Sequence, residues 1–300
     1  MTRHLLHDTD LSPAEQAAIL EAATGPLPQA LAGKAVALIF EKPSTRTRVS
    51  FEVGVRQLGG QPVVLDATTM QLGRGETLED TAGVLSRYVD AIVLRTGAHE
   101  RLERIAAAAS IPVVNALSDL SHPCQALADL LTLRRHGRTL AGFTLTYLGD
   151  GNNMAHSLLL AGATAGLHVR VATPAEFACD PQVVAAAEKV AAGTGGSVRE
   201  FTDPVAASEG AGALYTDVWV SMGQEAEAAE RHRPFLPYAL DEEKIAVADP
   251  KALVMHCLPA HRGEEISAAA VDGPHSVVFD QAENRLHAQK AVLAWLVQQP

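Results

Sequence analysis

The sequence predicts an α/β protein: two doubly wound, parallel-sheet domains with the active site in the cleft between them. Three observations predict it. Short apolar runs such as Ala35–Phe40 alternate with segments of helical period, the pattern of parallel strands joined by crossover helices. The alternation breaks at His136-Gly137-Arg138 and then restarts, and a chain of 300 residues suits two domains of about 150 each. The polar clusters also follow strands: residues 44–48, Arg95-Thr96, residues 122–125, Asn152-Asn153, residues 217–222 and Cys257. Open α/β sheets bind ligands beyond the carboxyl ends of their strands. The expected division is a first domain over 1–136, with a C-terminal helix at 283–300 packing back onto it, and a second domain over 137–282.

Taken in order, Ser12-Pro13-Ala14-Glu15 opens a first helix with a capping-box pattern. Ala35–Phe40, bounded by Gly33 and Pro43, reads as a strand buried on both faces. Val49, Phe51, Val53, Val55 and Leu58 then recur at helical spacing until Gly59-Gly60, with Ser44 or Thr45 as the N-cap. Strands are expected at 62–65, 91–94 and 111–115, helices at 77–88 and 100–109, and a polar, glycine-bearing loop at 66–76. A helix starting at His122-Pro123 runs to about His136, with proline placed where it costs no hydrogen bond. The second half should hold strands at 143–148, 168–172, 214–216, 252–256 and 277–279. Its helices should lie at 154–165, 181–192 and 283–298.

Composition narrows the function. A formal net charge of -11 argues against nucleic acid or an anionic membrane as partner. Cys124, Cys179 and Cys257 are scattered, with no C-x-x-C, and read as free thiols of a reducing compartment. Asp8 and Asp10 close to Arg3, with no apolar core behind them, do not make a signal peptide. The apolar stretch at 154–169 is too short and too broken by His156, Ser157 and His168 to span a bilayer. A cytoplasmic protein is expected.

Ser44-Thr45-Arg46-Thr47-Arg48 lies where the first long strand hands over to a helix. The free N–H groups of a first helical turn and the helix dipole favour an anion there, and two arginines beside three hydroxyls point to a phosphate. The first half thus supplies cations and hydroxyls, while the second supplies Asp217, amides and a thiol.

These residues resemble the motifs of a known family. Ser-Thr-Arg-Thr-Arg after Phe40-Glu41-Lys42-Pro43 is similar to the carbamoyl phosphate motif of the aspartate and ornithine carbamoyltransferases, and residues 122–129, His-Pro-Cys-Gln-Ala-Leu-Ala-Asp, to their second signature. Asp217-Val218-Trp219-Val220-Ser221-Met222 and His256-Cys257-Leu258-Pro259 resemble the ornithine branch. The aspartate branch carries a serine and a lysine in the loop that here reads Gln71-Leu72-Gly73-Arg74-Gly75. The resemblance runs from the first helix to the last. It implies that Ser44, Thr45, Arg46 and Thr47 bind the phosphate, and that Arg95, His122 and Thr47 face the carbonyl oxygen of the carbamoyl group. It further implies that Gln125 holds the carbamoyl amino group and that Gln71 reaches in from a neighbouring subunit of a homotrimer. Asn153, Asp217, Ser221 and Met222 would hold ornithine. Pro123, Cys124, Cys257, Leu258 and Arg285 complete the carbamoyl phosphate set, and Arg95, His122, Asp217 and Cys257 would be catalytic. The implied reaction is carbamoyl transfer to an amine in arginine biosynthesis, with no metal and no cofactor.

Blander readings stand beside these. His122 alone could cap its helix, and Cys257 alone is more often a small buried hydrophobe. His256, Cys257 and His261 raise a metal site but lack a fourth ligand. Gly149-Asp150-Gly151 hints at a dinucleotide loop, yet Met154 replaces its third glycine. Cys124 and Cys179 read as structural, and His7, His99, His136 and His275 as solvated surface residues. Other expectations to weigh are a carbamoyltransferase for another amine such as putrescine, a silent carbamoyl phosphate-binding subunit, and a nicotinamide dehydrogenase.

Overall fold

The computed structural model describes residues 2–66, 75–220 and 228–299. Gln71, Ser221 and Met222 therefore lie outside the described residues. The chain separates into two compact units, one of residues 1–131 together with 283–300, the other of residues 132–282.

In the first unit, β1 (Ala35–Phe40), β2 (Gln61–Asp66), β3 (Ala91–Arg95) and β4 (Val113–Leu117) form a parallel sheet in the order β2-β1-β3-β4. The inner strands β1 and β3 are buried almost throughout, which is why they read as unbroken apolar runs. Edge strand β2 alternates between exposed and half-buried positions. Leu5 lengthens the opposite edge, donating its N–H to Val113 and accepting from Asn115. The helices are α1 (Pro13–Ala22), α2 (Thr45–Gln57), α3 (Leu78–Leu85), α4 (His99–Ala108) and α5 (Pro123–Arg135). Ser12 and Glu15 form the expected capping box on α1.

In the second unit, β5 (Thr144–Leu148), β6 (His168–Ala172), β7 (Ser197–Phe201), β8 (Ala213–Thr216) and β9 (Leu253–His256) form a parallel sheet in the order β7-β6-β5-β8-β9. The helices are α6 (Asn153–Thr164), α7 (Pro181–Thr194), α8 (Pro204–Ser208), α9 (Ala228–Phe235), α10 (Glu242–Val247) and α11 (Ala268–Val271). The last helix, α12 (Val278–Leu296), starts in this unit and ends in the first.

Each sheet reverses its strand order once, between β1 and β3 in the first and between β5 and β8 in the second. A crevice opens outside the strand ends at such a switch point, because the flanking crossovers leave in opposite directions. The residues after β1, β3, β5 and β8 are therefore the ones the topology delivers to ligands.

Several elements differ from the sequence reading, among them the short helices α8, α9, α10 and α11, which it did not anticipate. Residues 277–279 are not a strand. Val254 pairs through a single bridge, donating to His275 and accepting from Val277, and α12 begins at Val278. A three-residue apolar run cannot distinguish a strand from a helix start. Strand β7 was not anticipated, because Arg199 and Glu200 interrupt its apolar content at an exposed sheet edge. In Gly149-Asp150-Gly151, Gly149 takes a positive φ of 140° and Gly151 serves packing. A Cβ on Gly151 would lie 2.5 Å from the backbone of Phe177, Ala178 and Cys179, and Gly151 donates its N–H to Phe177.

Candidate active site

The switch point of the first unit is lined by Thr47 in the first turn of α2 and by Arg95 at the end of β3. Pairing with β4 slips between Leu94 and Arg95, a local irregularity of the kind that re-aims a side chain. The Thr47 hydroxyl oxygen accepts from Arg285 Nη2 at 2.6 Å and from Arg95 Nη1 at 3.4 Å. Both acceptor positions of that oxygen are then in use, so its own O–H remains a donor. Arg285 Nη1 donates to Gln125 Oε1 at 2.9 Å, and Gln125 Nε2 donates to Asp129 Oδ1 at 2.8 Å, one helical turn on. Thr47, Arg95, Gln125, Asp129 and Arg285 are all buried, and His122 joins them at 3% exposure. Burial, then the charges of Arg285 and Arg95, hold the His122 imidazolium well below its usual range. At neutral pH His122 is therefore an uncharged imidazole between two guanidinium groups. The group presents two cations, a hydroxyl and an imidazole, and the buried Asp129 carboxylate stands behind Gln125.

Backbone neighbours are fixed by a second set of contacts. Glu41, in the turn after β1, receives the Arg101 guanidinium at 2.6 Å and the Thr96 hydroxyl, and its N–H donates to the Arg95 carbonyl. That clamp ties the turn before α2 to the end of β3. Ser44 stands at the N-cap, one of the two positions expected for it; its side chain makes no capping bond, and Thr45 is the first helical residue. The Ser44 hydroxyl is thus not spent on its own helix. Arg46 and Arg48 are exposed. Before α5, buried Asn115 donates to Ser118 and Ser121 at 3.3 and 3.1 Å, pinning the loop that carries His122. Pro123 is the first residue of α5. Cys124 is fully buried with its thiol pushed up to about 12, so it is a packing residue that takes no charge.

The second switch point is built around a carboxylate. Asp217, just after β8, accepts from Cys257 Sγ at 2.9 Å and from Asn152 Nδ2 at 3.3 Å. Asn152 also caps α6, its Oδ1 accepting from the N–H groups of Met154 and Ala155. Buried Tyr147 contributes its hydroxyl to Asn152 Oδ1 at 3.4 Å. Burial, then the neighbouring Asp217, push the Tyr147 phenol well above its ordinary range, so it stays protonated. Cys257 is a thiol donor here, with Asp217 as the acceptor, which does not prepare it as a thiolate nucleophile.

Leu258, next to Cys257, adopts φ 60°, a left-handed conformation that costs a residue with a side chain about 1–2 kcal/mol. His256 Nδ1 accepts the Leu258 N–H at 2.8 Å, and its Nε2 lies 3.1 Å from Glu265 Oε1. Donor atoms of Asp217, His256 and Cys257 lie within 4.8 Å of one another, as do those of His261, Glu264 and Glu265. Both ring nitrogens of His256 are already engaged, so a cation there would have to displace the Leu258 N–H.

The structure thus brings Thr47, Arg95, His122, Gln125 and Arg285 together in one unit, and Asp217 with Cys257 in the other. It adds residues the sequence reading left without a role: Glu41, Asp129 and Asn152. Asp129 had a signal, since it stands four residues after Gln125 on a helix and so on the same face. Asn153 is the first residue of α6, while its neighbour Asn152 is the one that touches Asp217. The histidines expected at the surface are half-buried and bonded: His99 to Ser118 at 2.7 Å, His136 to Asp280 at 2.9 Å, His275 to the Ala252 carbonyl at 2.8 Å and His7 to Thr9 at 3.3 Å.

Comparison with known proteins divides the chain near the same central point, although it counts residues 283–296 with the second part. Residues 3–135 match the family model described as aspartate/ornithine carbamoyltransferase, carbamoyl-P binding domain, and residues 141–296 match the Asp/Orn binding domain of that family. An ornithine carbamoyltransferase of Parafrankia sp. (strain EAN1pec) is 60% identical over 304 residues, covering 98% of this chain and 96% of the relative. The structure of ornithine carbamoyltransferase from Pyrococcus furiosus superposes with a TM-score of 0.94 at 52% identity, covering 97% of this chain and 96% of that one. Anabolic ornithine carbamoyltransferase from Campylobacter jejuni gives a TM-score of 0.95 at 36% identity, with both chains covered in full (100%).

Proposed function

The chain belongs to the aspartate/ornithine carbamoyltransferase family, and on that premise we propose that it transfers the carbamoyl group of carbamoyl phosphate to the side-chain amine of L-ornithine, giving L-citrulline and phosphate. The observation that carries this reading is the opposite character of the two switch points, one gathering Arg95 and Arg285 on Thr47 and the other centred on Asp217. The first suits an anionic acyl phosphate and the second a cationic amino acid.

In this reading the lone pair of the neutral amine attacks the carbonyl carbon. The new C–N bond forms as the C–O bond to phosphate breaks, and the proton shed by the attacking nitrogen leaves with the phosphate as hydrogen phosphate. Negative charge grows on the carbonyl oxygen, so the Thr47 hydroxyl, Arg95 and uncharged His122 are the donors that lower the barrier. Gln125 holds the carbamoyl amino group through the amide oxygen that Arg285 orients. Ser44, Thr45 and Arg46, with the first-turn amides of α2, take the phosphate. Asn153, Asp217, Ser221 and Met222 receive ornithine, with Cys257 and Leu258 beside the reacting carbamoyl group. A protonated amine cannot attack and free ornithine's has a pKa of about 10, so a carboxylate beside it serves to collect the ammonium before the proton leaves.

The physiological role in this reading is arginine biosynthesis in the cytoplasm, by a homotrimer in which Gln71 completes a neighbour's site. Val49, Val53 and Val84, exposed on helices of the first unit, and exposed Tyr88 in the turn after α3 support self-association. A citrulline assay with carbamoyl phosphate and ornithine, putrescine or aspartate as acceptor tests the activity. Ornithine alone should give rapid turnover, and turnover with putrescine instead would overturn the assignment. For the shared site, Arg46→Ala and Gln71→Ala chains refolded together should recover roughly a quarter of wild-type activity from inactive parents. Hybrid trimers as dead as the parents would remove Gln71 from its neighbour's site.

A further inference from the structure

His256 closes β9, and its ring and the carboxylate of Glu265 are among the most deeply buried titratable groups of the second unit, at 0% and 1% exposure. Neither has a part in the reaction described above. Their bonds define a directed chain. The Leu258 N–H donates to His256 Nδ1, so that nitrogen carries no proton. The ring proton must then sit on Nε2, where Glu265 Oε1 accepts it at 3.1 Å. The same oxygen takes the His261 N–H at 2.6 Å, and the His261 ring lies 3.5 Å from the other carboxylate oxygen. The His256 N–H in turn donates to Gln281 Oε1 at 2.8 Å. Cys257 is thus held between a residue whose ring is engaged at both nitrogens and a leucine in the left-handed region.

We propose that Glu265 and His256 are positioning residues for the amine-acceptor site: Glu265 fixes His256 as its Nε2–H tautomer, so that Nδ1 can hold the Leu258 N–H and keep Cys257 Sγ on Asp217. The proposal rests on the reading above that Asp217 meets the acceptor and Cys257 lies beside the reacting carbamoyl group. An ordinary core histidine would need one partner and no particular tautomer. This one needs its protonated nitrogen on the side of the carboxylate, because a proton on Nδ1 would face the Leu258 N–H head on. A residue with a side chain at φ 60° relaxes unless its surroundings hold it there. Relaxation of Leu258 would carry the adjacent Cys257 off Asp217. The burial of Glu265 has the same logic. A carboxylate out of water survives where fixed donors replace its hydration, and hydrogen bonds from His256 and His261 outweigh the cost of burial and keep it ionised.

The test joins kinetics with a direct view of the tautomer. Glu265→Leu removes the acceptor, and His256→Phe removes both ring nitrogens. Each should raise the KM for ornithine and lower kcat by roughly tenfold or more, as small displacements of reacting groups do, while carbamoyl phosphate binding by calorimetry stays within about twofold. Glu265→Gln keeps an amide oxygen for both N–H donors and should stay within about threefold of wild type. His256→Asn, which can still accept the Leu258 N–H, should recover most of the loss seen in His256→Phe. If Glu265→Leu and His256→Phe fold and keep wild-type KM for ornithine, or lose carbamoyl phosphate binding equally, the pair is a core contact only and the proposal falls. If they fail to fold, the wild-type protein decides. Nitrogen-15 NMR of labelled histidine at neutral pH should show His256 protonated on Nε2 alone, and any other protonation state overturns the proposal. A wild-type protein that makes no citrulline while His256 shows that tautomer would count against the functional reading and not against this geometry.

Discussion

The two switch points solve opposite problems with opposite means. In the first, cationic groups converge on one hydroxyl, the groups that meet there are buried, and the Asp129 carboxylate sits one contact away behind Gln125. In the second, neutral donors converge on a carboxylate, and the contributing Cys257 is only half-buried. Guanidinium groups keep their charge when buried and hold a fixed fork, so the first site is preorganised for an anion before one arrives. The second must accept a flexible cation and release a neutral product. Its carboxylate is met by a thiol and an amide, weak donors that an ammonium can replace.

The sharpest way to break the contrast is to remove a cation. Arg285→Ala strips one donor from Thr47 and leaves Gln125 Oε1 without its partner. We expect kcat/KM to fall by about 10²–10³, as for loss of an oxyanion donor, together with weaker carbamoyl phosphate binding. An Arg285→Ala protein with wild-type carbamoyl phosphate affinity would place this arginine outside the site. The mirror change is Asp217→Asn, which keeps shape and removes charge. Turnover of ornithine should fall by about 10²-fold while carbamoyl phosphate affinity holds, so a parallel loss of both would erase the distinction between the sites.

Two gentler experiments sharpen it. His122 is neutral in the folded state and titrates there below its unfolded value of about 6.5. The unfolded chain therefore binds the proton more readily, and the stability that depends on keeping His122 uncharged is complete above that value. It is lost as pH falls below it, by up to about 1.4 kcal/mol per pH unit. Denaturant melts between pH 7 and 5 should show a steeper loss in wild type than in His122→Asn. Equal slopes would mean that His122 titrates normally. Last, mild alkylation at pH 8 followed by peptide mass mapping should modify Cys257 and spare Cys124 and Cys179, whose buried thiols are pushed up to about 12. Equal labelling of all three would contradict the burial that separates the sites.

Much of this was legible in the residues because local chemistry wrote it. Ala35–Phe40 could be little other than a buried strand, and the hydroxyls and arginines after it stand where a helix start and a strand end coincide. Ser44 stands at the N-cap as its residue type suggests, but its side chain makes no capping bond, which residue type alone does not decide. Arg285 could be named only from family resemblance. It lies 160 positions from the Gln125 it orients, and no periodicity spans such a separation. Asn152 was hidden behind its twin, since two adjacent asparagines at a helix start are distinguished only by which one folds back to cap. Residues 277–279 were misassigned because three apolar residues carry too little pattern to choose a period.

Arg285 reaches Thr47 from the far side of an intervening 132–282 segment. During synthesis the ribosome therefore delivers Thr47, Arg95, His122 and Gln125 first, then the whole second unit, and only afterwards the arginine that joins them. A nascent or prematurely terminated chain ending within that segment holds most of the anion site but not the guanidinium that bridges Thr47 to Gln125. The order of translation thus adds the cation that closes this cluster last.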